Sequence, residues 1–359
     1  MEFTTKLVSY EEVKNGYRPL HDDFGLFAGL TDARKQVFFA NPNQNDDTKC
    51  LLNLELVDGV VAGRTMSYDV VFRADNKTYT AASGSALDVA ECYRQYGVGA
   101  TLMMNVIGLD YNYFIFAGIS DQALPLYKKL RYHILEYPRM MQLRASRQFL
   151  EAKGFGRFSG ILSKIVDIPL KIWLAGAKHS GSSLKKKYTI KQEYIVPDWV
   201  NSIALDEKYK YMEVHDQKWL QWNLDYNFTG KETDKQFFYS IYIEDKPYGF
   251  FMIKERFREN AGPLKNVYVG SIVEWGSLDE NILDEVVINR IAMSHFSDQI
   301  DIVEFASANA EVAKRMERYG FVKHGYAHIV FKDKTKQFKD ASDILNWRIR
   351  YGYSDVIFT

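Results

Sequence analysis

The sequence predicts an α+β protein with a mixed sheet, arranged as two lobes of similar internal order. Three observations lead to this prediction: a length of 359 residues, strands that alternate with helices after an initial meander, and a second stretch that repeats the order of the first. A chain of this length is long for one average domain and comfortable for two. Strands that alternate with helices in this way imply a mixed sheet with helices packed against it.

The first stretch holds seven predicted elements. Two strands pair around the turn Asp58-Gly59, and a third strand follows. A glycine-opened helix, a short buried strand, a second helix and a closing strand complete the order. These elements have the ranges 50–57, 60–71, 78–89, 97–108, 113–119, 120–131 and 132–143.

The second stretch repeats this order, with a hairpin, a strand, a helix, a strand, a helix and a closing strand. Their predicted ranges are 236–244, 248–257, 266–276, 281–296, 301–307, 310–319 and 323–331. The shared order indicates an internal duplication. We therefore expect lobes at 1–145 and 201–359, joined by a linker or bridging segment at 146–200.

The joining segment contains the most apolar part of the chain, about 161–177. It carries Lys164, Asp167, Pro169 and Lys171, so it falls short of the roughly 20 apolar residues that a membrane span needs. We favour a bridging helix here, with a surface that rests on a membrane as the alternative.

Composition narrows the class of protein. Lys+Arg and Asp+Glu each total 46, and this zero net charge argues against a broad nucleic-acid-binding face. Two cysteines are too few for a disulfide framework, the start of the chain lacks a signal-peptide pattern, and the seven histidines form no metal-binding constellation. We expect a cytoplasmic protein that uses no metal.

The clearest chemical signal is a glycine-rich loop between a strand and a helix. Glycines at 97 and 99 remove side chains where the chain must turn tightly and approach a ligand. The N–H groups that open the following helix then converge on one spot, which suits a pyrophosphate because they donate hydrogen bonds and the helix dipole favours negative charge. The loop reads Arg94, Gln95, Tyr96, Gly97, Val98, Gly99, Ala100, Thr101.

This loop resembles the R/Q-x-x-G-x-G/A segment of the GNAT superfamily of N-acyltransferases. The preceding run, 89–94, looks like the end of the family's strand that leads to the arginine. Downstream, 120–132 resembles the family's N-x-x-A-x-x-L-Y-x-x-x-G-F segment, with Ser120 in place of Asn and Arg131-Tyr132 in place of Gly-Phe. The resemblance covers about 50–143 closely and 236–331 loosely.

The resemblance implies that the chain takes an acyl group from acetyl-CoA and transfers it to a primary amine. Residues 94–101 and Ser120 would bind CoA, while backbone groups near Asp88 and Val89 would align its pantetheine arm. Tyr127 matches the family tyrosine that protonates the leaving thiolate, a role that a phenol can fill at neutral pH. Asp88 and Glu91 are the candidate general bases, and the sequence does not choose between them.

The second lobe is degenerate in sequence. Residues 309–321 resemble the same family segment, with Asn309 and Gly320-Phe321 intact, but Met316 stands in the tyrosine position. At the place of the pyrophosphate loop, 284–290 contains no glycine and two acids that would repel a pyrophosphate. We expect this lobe to have lost CoA binding and to shape the acceptor site between lobes.

The sequence defines the acceptor less closely than it defines the donor. Segments around Trp219 and Trp347 look like those of acyltransferases encoded with bacterial surface-polysaccharide genes, which favours an amino sugar or a sugar-linked amine. Two rivals remain: a FemAB-type aminoacyl transferase, and a non-catalytic CoA-binding regulator. The acyl chain length and the oligomeric state are left open.

Overall fold

The computed structural model describes residues 1–185, 187–205 and 208–353. Within these residues, thirteen strands form one sheet. The strands are β1 (Phe3–Ser9), β2 (Cys50–Val57), β3 (Val60–Ala74), β4 (Lys77–Val89), β5 (Tyr113–Ala117), β6 (His133–Leu143), β7 (Thr189–Glu193), β8 (Tyr211–Glu213), β9 (Lys235–Ile243), β10 (Lys246–Ala261), β11 (Leu264–Ser277), β12 (Ile302–Ala306) and β13 (Val322–Asp333).

Helices pack against this sheet, which confirms the α+β class with a mixed sheet. They are α1 (Tyr10–Lys14), α2 (Asp32–Phe39), α3 (Val98–Gly108), α4 (Leu124–Lys129), α5 (Arg147–Ala152), α6 (Ser159–Lys185), α7 (Val200–Leu205), α8 (Gln217–Asp225), α9 (Glu285–Met293) and α10 (Ala310–Met316). Short 3₁₀ turns cover Glu91–Tyr96, Gly156–Phe158, Glu317–Tyr319 and Ile344–Asn346.

The two lobes exchange their closing strands. Along the sheet the order is β1-β2-β3-β4-β5-β13-β6-β12-β11-β10-β9-β7, and β8 pairs with β3. The last strand of the second stretch, β13, pairs with β5 of the first, while the last strand of the first stretch, β6, pairs with β12 of the second. The lobes therefore share one continuous sheet. The boundaries at 145 and 200 stay a prediction.

The predicted joining segment is largely helical. The structure places α5, the 27-residue helix α6 and the edge strand β7 within it. Asp167 of α6 accepts a hydrogen bond from the backbone N–H of Ser146 at 2.9 Å, and a side chain on Gly320 would meet the ring of Trp173 at 2.0 Å. The first contact holds α6 to the start of α5, and the second attaches α6 to the second lobe. No helix of the described chain is long and apolar enough to cross a membrane.

Helix α3 lies close against the sheet because a glycine stands under it. A Cβ at Gly63 of β3 would meet Val98 Cγ1 at 2.7 Å and Leu102 Cδ1 at 2.9 Å. Both of these side chains are fully buried in a small core cluster with Val57 and Ala62. This packing fixes the start of α3 next to the end of β4.

Candidate functional site

Strands β4 and β5 separate at their carboxyl ends. They run parallel and pair only at Ala82 with Phe114 and at Ser83 with Ile115. Beyond Ser83 they diverge, although β4 continues to Val89. The divergence leaves a V-shaped opening in the middle of the sheet, with backbone groups of β4 along one side.

A β-bulge bends β4 at this opening. On β3, Arg64 and Met66 face Asp88 and Ser85 of β4, so β4 has one more residue than β3 between these pairs. Ala86 within the bulge takes a left-handed conformation with φ of 53°. Bulges bend a strand and end regular pairing, and they are frequent beside functional sites.

A cavity of about 460 Å³ occupies the opening, a volume within the usual range for small-molecule sites. Its lining comes from both lobes: Thr65, Gly84, Ser85, Ala86, Leu87, Met103, Phe116, Ala117, Gly118, Ile119, Ser120, Ala123, Tyr127, Arg139, Arg258 and Tyr351. We call this cavity the central cleft. Two of these residues, Tyr127 and Ser120, are site residues that the sequence predicted. Arg139, Arg258 and Tyr351 are charged or phenolic residues of the lining that the sequence did not indicate.

The glycine-rich loop lies next to the cleft and has the conformation that its sequence predicts. Gly97 has φ of 80°, in the left-handed region that favours glycine, and caps α3 without a side chain. The N–H groups of Ala100 and Thr101 return to the carbonyl of Gly97 at 2.8 and 3.0 Å. The first N–H groups of a helix lack intrahelical partners, so those of Val98 and Gly99 are available to an anion.

The other loop residues are distributed around this helix start. Arg94, Gln95 and Tyr96 are exposed, and Arg94 Nε donates to the carbonyl of Val89 at 3.2 Å. Val98 is buried beneath α3. The CoA-binding roles of these residues, like those of Val89, Ala100 and Thr101, stay predictions.

Tyr127 is buried and lines the cleft. Its hydroxyl lies 3.7 Å from Met103 Sδ, and its ring contacts Tyr132 edge-on with centroids 5.2 Å apart. Tyr132 is also buried but is not part of the cleft lining. The structure thus places the predicted acid, rather than its neighbour, at the cavity.

The two predicted bases lie outside the cleft. Asp88 and Glu91 are both exposed, and no carboxylate lines the cavity within the part of the chain that the structure describes. Either residue would therefore have to act through water, and the choice between them stays open.

A charged cluster adjoins the cleft on the side of the second lobe. Tyr351 donates from its hydroxyl to Glu304 Oε2 at 2.5 Å, and Arg256 Nη2 lies 3.0 Å from the same oxygen. Arg139 binds the other carboxylate oxygen. Although burial alone would raise it, the pKa of Glu304 is lowered to about 2 by Arg256 and Arg139. Sequence patterns did not indicate this cluster, because its members come from β6, β10, β12 and the C-terminal segment.

The second lobe has the equivalent opening between β11 and β12, and the chain fills it. Segment 347–353 enters there: Gly352 N–H donates to the carbonyl of Val273 at 2.8 Å, and Ala308 N–H donates to that of Ile349 at 3.0 Å. These bonds satisfy backbone groups that the divergence of the strands would otherwise leave unpaired. No comparable segment enters the first opening within the described residues.

Buried ion pairs hold this segment in place. Arg350 Nη1 binds Glu274 at 2.7 Å and its Nη2 binds Glu285 at 2.8 Å. His215 contacts Glu274 and stacks on Trp219 with centroids 3.5 Å apart. Burial alone would lower the pKa of His215, but the carboxylates of Glu274 and Glu213 raise it to about 9.

Acidic side chains of the chain itself also stand at the start of α9. The Asp284 side chain accepts from the N–H of Val287 at 2.8 Å, and the Glu285 carboxylate accepts from Trp275 Nε1 at 3.0 Å. Two acids stand where the first lobe has its glycine loop. A filled opening and an acidic helix start both accord with the predicted loss of CoA binding by the second lobe, which stays a prediction.

Comparison with solved structures identifies the fold. A GCN5-related N-acetyltransferase from Anabaena variabilis matches with a TM-score of 0.54 and 12% identity, over 93% of this chain and 73% of its own. A probable N-acyltransferase of unknown function from Enterococcus faecalis matches with a TM-score of 0.53 and 13% identity, over 94% of this chain and 74% of its own.

N-myristoyltransferase from Saccharomyces cerevisiae, solved with bound myristoyl-CoA, matches with a TM-score of 0.55 and 10% identity, over 92% of this chain and 82% of its own. No family model matches the sequence, and no curated protein matches it. At these identities the likeness is one of fold.

The glycine loop provides a direct test of the anion site. A Cβ on Gly99 would meet only Val89 Cγ2, at an ordinary 3.6 Å, so Gly99→Leu is expected to fold normally while its side chain covers the helix start. Losing two or more charge-assisted hydrogen bonds should weaken acetyl-CoA binding roughly 100-fold. Calorimetric titration measures this affinity.

Gly108→Leu is the matched control, because Gly108 ends the same helix, is exposed and has open space around its Cβ position. It should leave acetyl-CoA affinity unchanged. Equal affinity in both variants would remove the helix start as the anion site.

Proposed function

We propose that this chain, which has the fold of the GCN5-related N-acyltransferases, is an enzyme that transfers an acyl group from acetyl-CoA to a small primary amine. One observation carries the proposal: the strand opening of the first lobe contains a cavity beside a glycine-opened helix, whereas the chain fills the same opening in the second lobe. The CoA-bound structure of the yeast fold neighbour supports a CoA thioester as the donor.

The donor would bind along the diverging strands. Its pyrophosphate would lie at the start of α3, where N–H groups of Val98 and Gly99 and the helix dipole favour negative charge. The pantetheine arm would follow the backbone of β4 past Ala86, because that edge has no partner strand there. This path brings the thioester into the central cleft.

The transfer itself needs one bond made and one broken. The amine nitrogen attacks the thioester carbon, the carbon–sulfur bond breaks, and the amine loses a proton while the thiolate gains one. Tyr127 would give its phenolic proton to the thiolate, as its position in the cleft wall allows. Asp88 or Glu91 would accept the amine's proton through water.

The acceptor would enter from the side of the second lobe. Arg139, Arg258 and Tyr351 line that side of the cleft, so the degenerate lobe contributes to acceptor binding, as its loss of a CoA loop suggests. An amino sugar or a sugar-linked amine remains our proposed acceptor class. Two free cysteines, Cys50 and Cys92, accord with a reducing compartment, and we place the enzyme in the bacterial cytoplasm.

A non-catalytic CoA-binding regulator would share the donor site but leave acetyl-CoA intact, so turnover with any amine excludes it. A FemAB-type transferase would use charged tRNA and would not need the glycine loop.

Tyr127→Phe tests the acid role. Loss of a general acid is expected to lower kcat about 10²- to 10⁴-fold, with little change in acetyl-CoA affinity because the ring remains in place. Steady-state kinetics with an accepted amine, alongside calorimetry, separates the two effects.

Tyr132→Phe is the matched control. Its buried hydroxyl has no hydrogen-bond partner among the described residues, and it does not line the cleft, so kcat should stay near that of the unmodified enzyme. Full activity of Tyr127→Phe would contradict the assignment.

A further inference from the structure

The acceptor side of the cleft has an excess of positive charge. Three guanidinium groups, from Arg139, Arg256 and Arg258, gather around one carboxylate, that of Glu304. Two of the three, Arg139 and Arg258, line the cleft. Three guanidinium groups and one carboxylate give the cluster by itself a net charge of +2.

Glu304 is fully engaged by other groups. Its Oε1 pairs with Arg139. Its Oε2 pairs with Arg256 and accepts a hydrogen bond from the hydroxyl of Tyr351. Even so, the buried Nε of Arg139 has no hydrogen-bond partner in the described chain. The carboxylate thus holds the cluster together and has little capacity left for a fourth donor.

Arg258 stands apart from these pairings. It is half-buried, and no hydrogen bond or ion pair involves its guanidinium among the residues that the structure describes. The charged and phenolic groups that act on it are Arg256, Tyr351, Glu304 and Arg139; burial, followed by Arg256, lowers its pKa. A partly buried cation without a partner is costly, and an anion in the cleft would remove this cost.

We propose that the acceptor amine also carries an acidic group, a carboxylate or a phosphate, which binds Arg258 and Arg139 while the amine faces the thioester. Arginine suits this role because its planar group donates two parallel hydrogen bonds to such oxyanions. The inference rests on the proposed acyl transfer and restricts the small primary amine to one that carries an acid, which admits an amino acid beside an amino sugar. It favours an amino acid, an acidic amino sugar or an amino-sugar phosphate over a neutral amine.

Matched acceptor pairs test the inference. The unmodified enzyme is assayed with acetyl-CoA and amines that differ only in the acid: an amino acid against its amide, and glucosamine 6-phosphate against glucosamine. One acidic member should exceed its neutral partner by about 10- to 100-fold in kcat/KM, the usual effect of a hydrogen-bonded ion pair. The pair whose acidic member has the higher kcat/KM shows whether the site prefers a carboxylate or a phosphate.

Arg258→Gln should bring that ratio close to one, chiefly through KM for the acidic acceptor, and Arg258→Lys should restore part of it. Arg318→Gln removes an exposed positive charge elsewhere and should leave the ratio unchanged. Equal rates for acidic and neutral acceptors would overturn the inference while leaving acyl transfer intact. Weaker acetyl-CoA binding in Arg258→Gln would also overturn it, because the residue would then serve the donor. Absence of acetyl-CoA binding in the unmodified protein would instead refute the proposed function.

A second inference concerns a different surface, the exposed face of α6, and rests on an independent observation. Four isoleucines of α6 point into solvent at helical spacing: Ile161, Ile165, Ile168 and Ile172 are 63, 63, 61 and 69% exposed. They form one stripe because positions four, seven and eleven residues apart share a helix face. Phe158, just before the helix, extends the stripe and is 70% exposed. Contiguous apolar surface of this kind marks an interaction site.

The charges beside the stripe are mostly positive. Lys153, Arg157, Lys164 and Lys171 are all exposed. The acids of this region are engaged elsewhere, since Asp167 binds the backbone of Ser146 and Glu151 pairs with Arg147 at 2.9 Å. An apolar stripe flanked by lysines is the pattern of helices that lie in the surface of an anionic membrane.

We infer that α6 attaches the protein to the surface of an anionic lipid bilayer without crossing it. The test is flotation of the full chain with vesicles of phosphatidylcholine alone or mixed with phosphatidylglycerol. The protein should float with the mixed vesicles and less so at high salt, which screens the lysines.

Ile165→Asp with Ile168→Asp should abolish flotation, whereas Leu345→Asp, at a position outside α6 that is 75% exposed, should not. Failure of the unmodified chain to float overturns the inference. So does a dimer in sedimentation velocity that the double variant dissociates, because the stripe would then cover a second copy of the chain.

Discussion

The separation of β4 from β5 is the constraint on which the rest of the molecule depends. A bulge at Ala86 bends β4 away, and the backbone groups beyond Ser83 lose their neighbouring strand. Buried backbone groups need partners, so each lobe must supply something at its opening. In the second lobe the chain supplies its own segment, anchored by Ile349 and Gly352. In the first lobe a bound molecule would make these bonds, and the cavity is suited to one.

Strand exchange joins the two lobes, which carry different charges, into one sheet. Because β13 lies between β5 and β6, the end of β5 is brought beside elements of the second lobe. The second lobe holds acids at the start of α9, where an anion would be repelled. Its Arg258 lies at the central cleft together with Arg139 of β6, where an anion would be attracted. These charges favour our proposal that the first lobe binds the donor and that the second contributes to the acceptor site.

Local patterns predicted the parts of this protein that depend on local sequence. Strand and helix order, the left-handed Gly97 and the acidic start of α9 each follow from a few consecutive residues, and the structure agrees with them. Exchange of β6 and β13 was not predictable, because pairing partners far apart in sequence leave no periodic signal. The same holds for Arg139 and Arg258, which meet only through that exchange. Nearness in sequence to the catalytic strand points to the carboxylates of Asp88 and Glu91 as bases, but the structure places both outside the cleft.

The stoichiometry of acetyl-CoA binding tests this account most directly. Calorimetric titration of the full chain should give one site per chain, because residues 347–353 fill one opening and no described segment fills the other. Two sites would contradict the filled second lobe. No binding would contradict the central claim, that the opening beside Gly97 and Gly99 holds a CoA thioester.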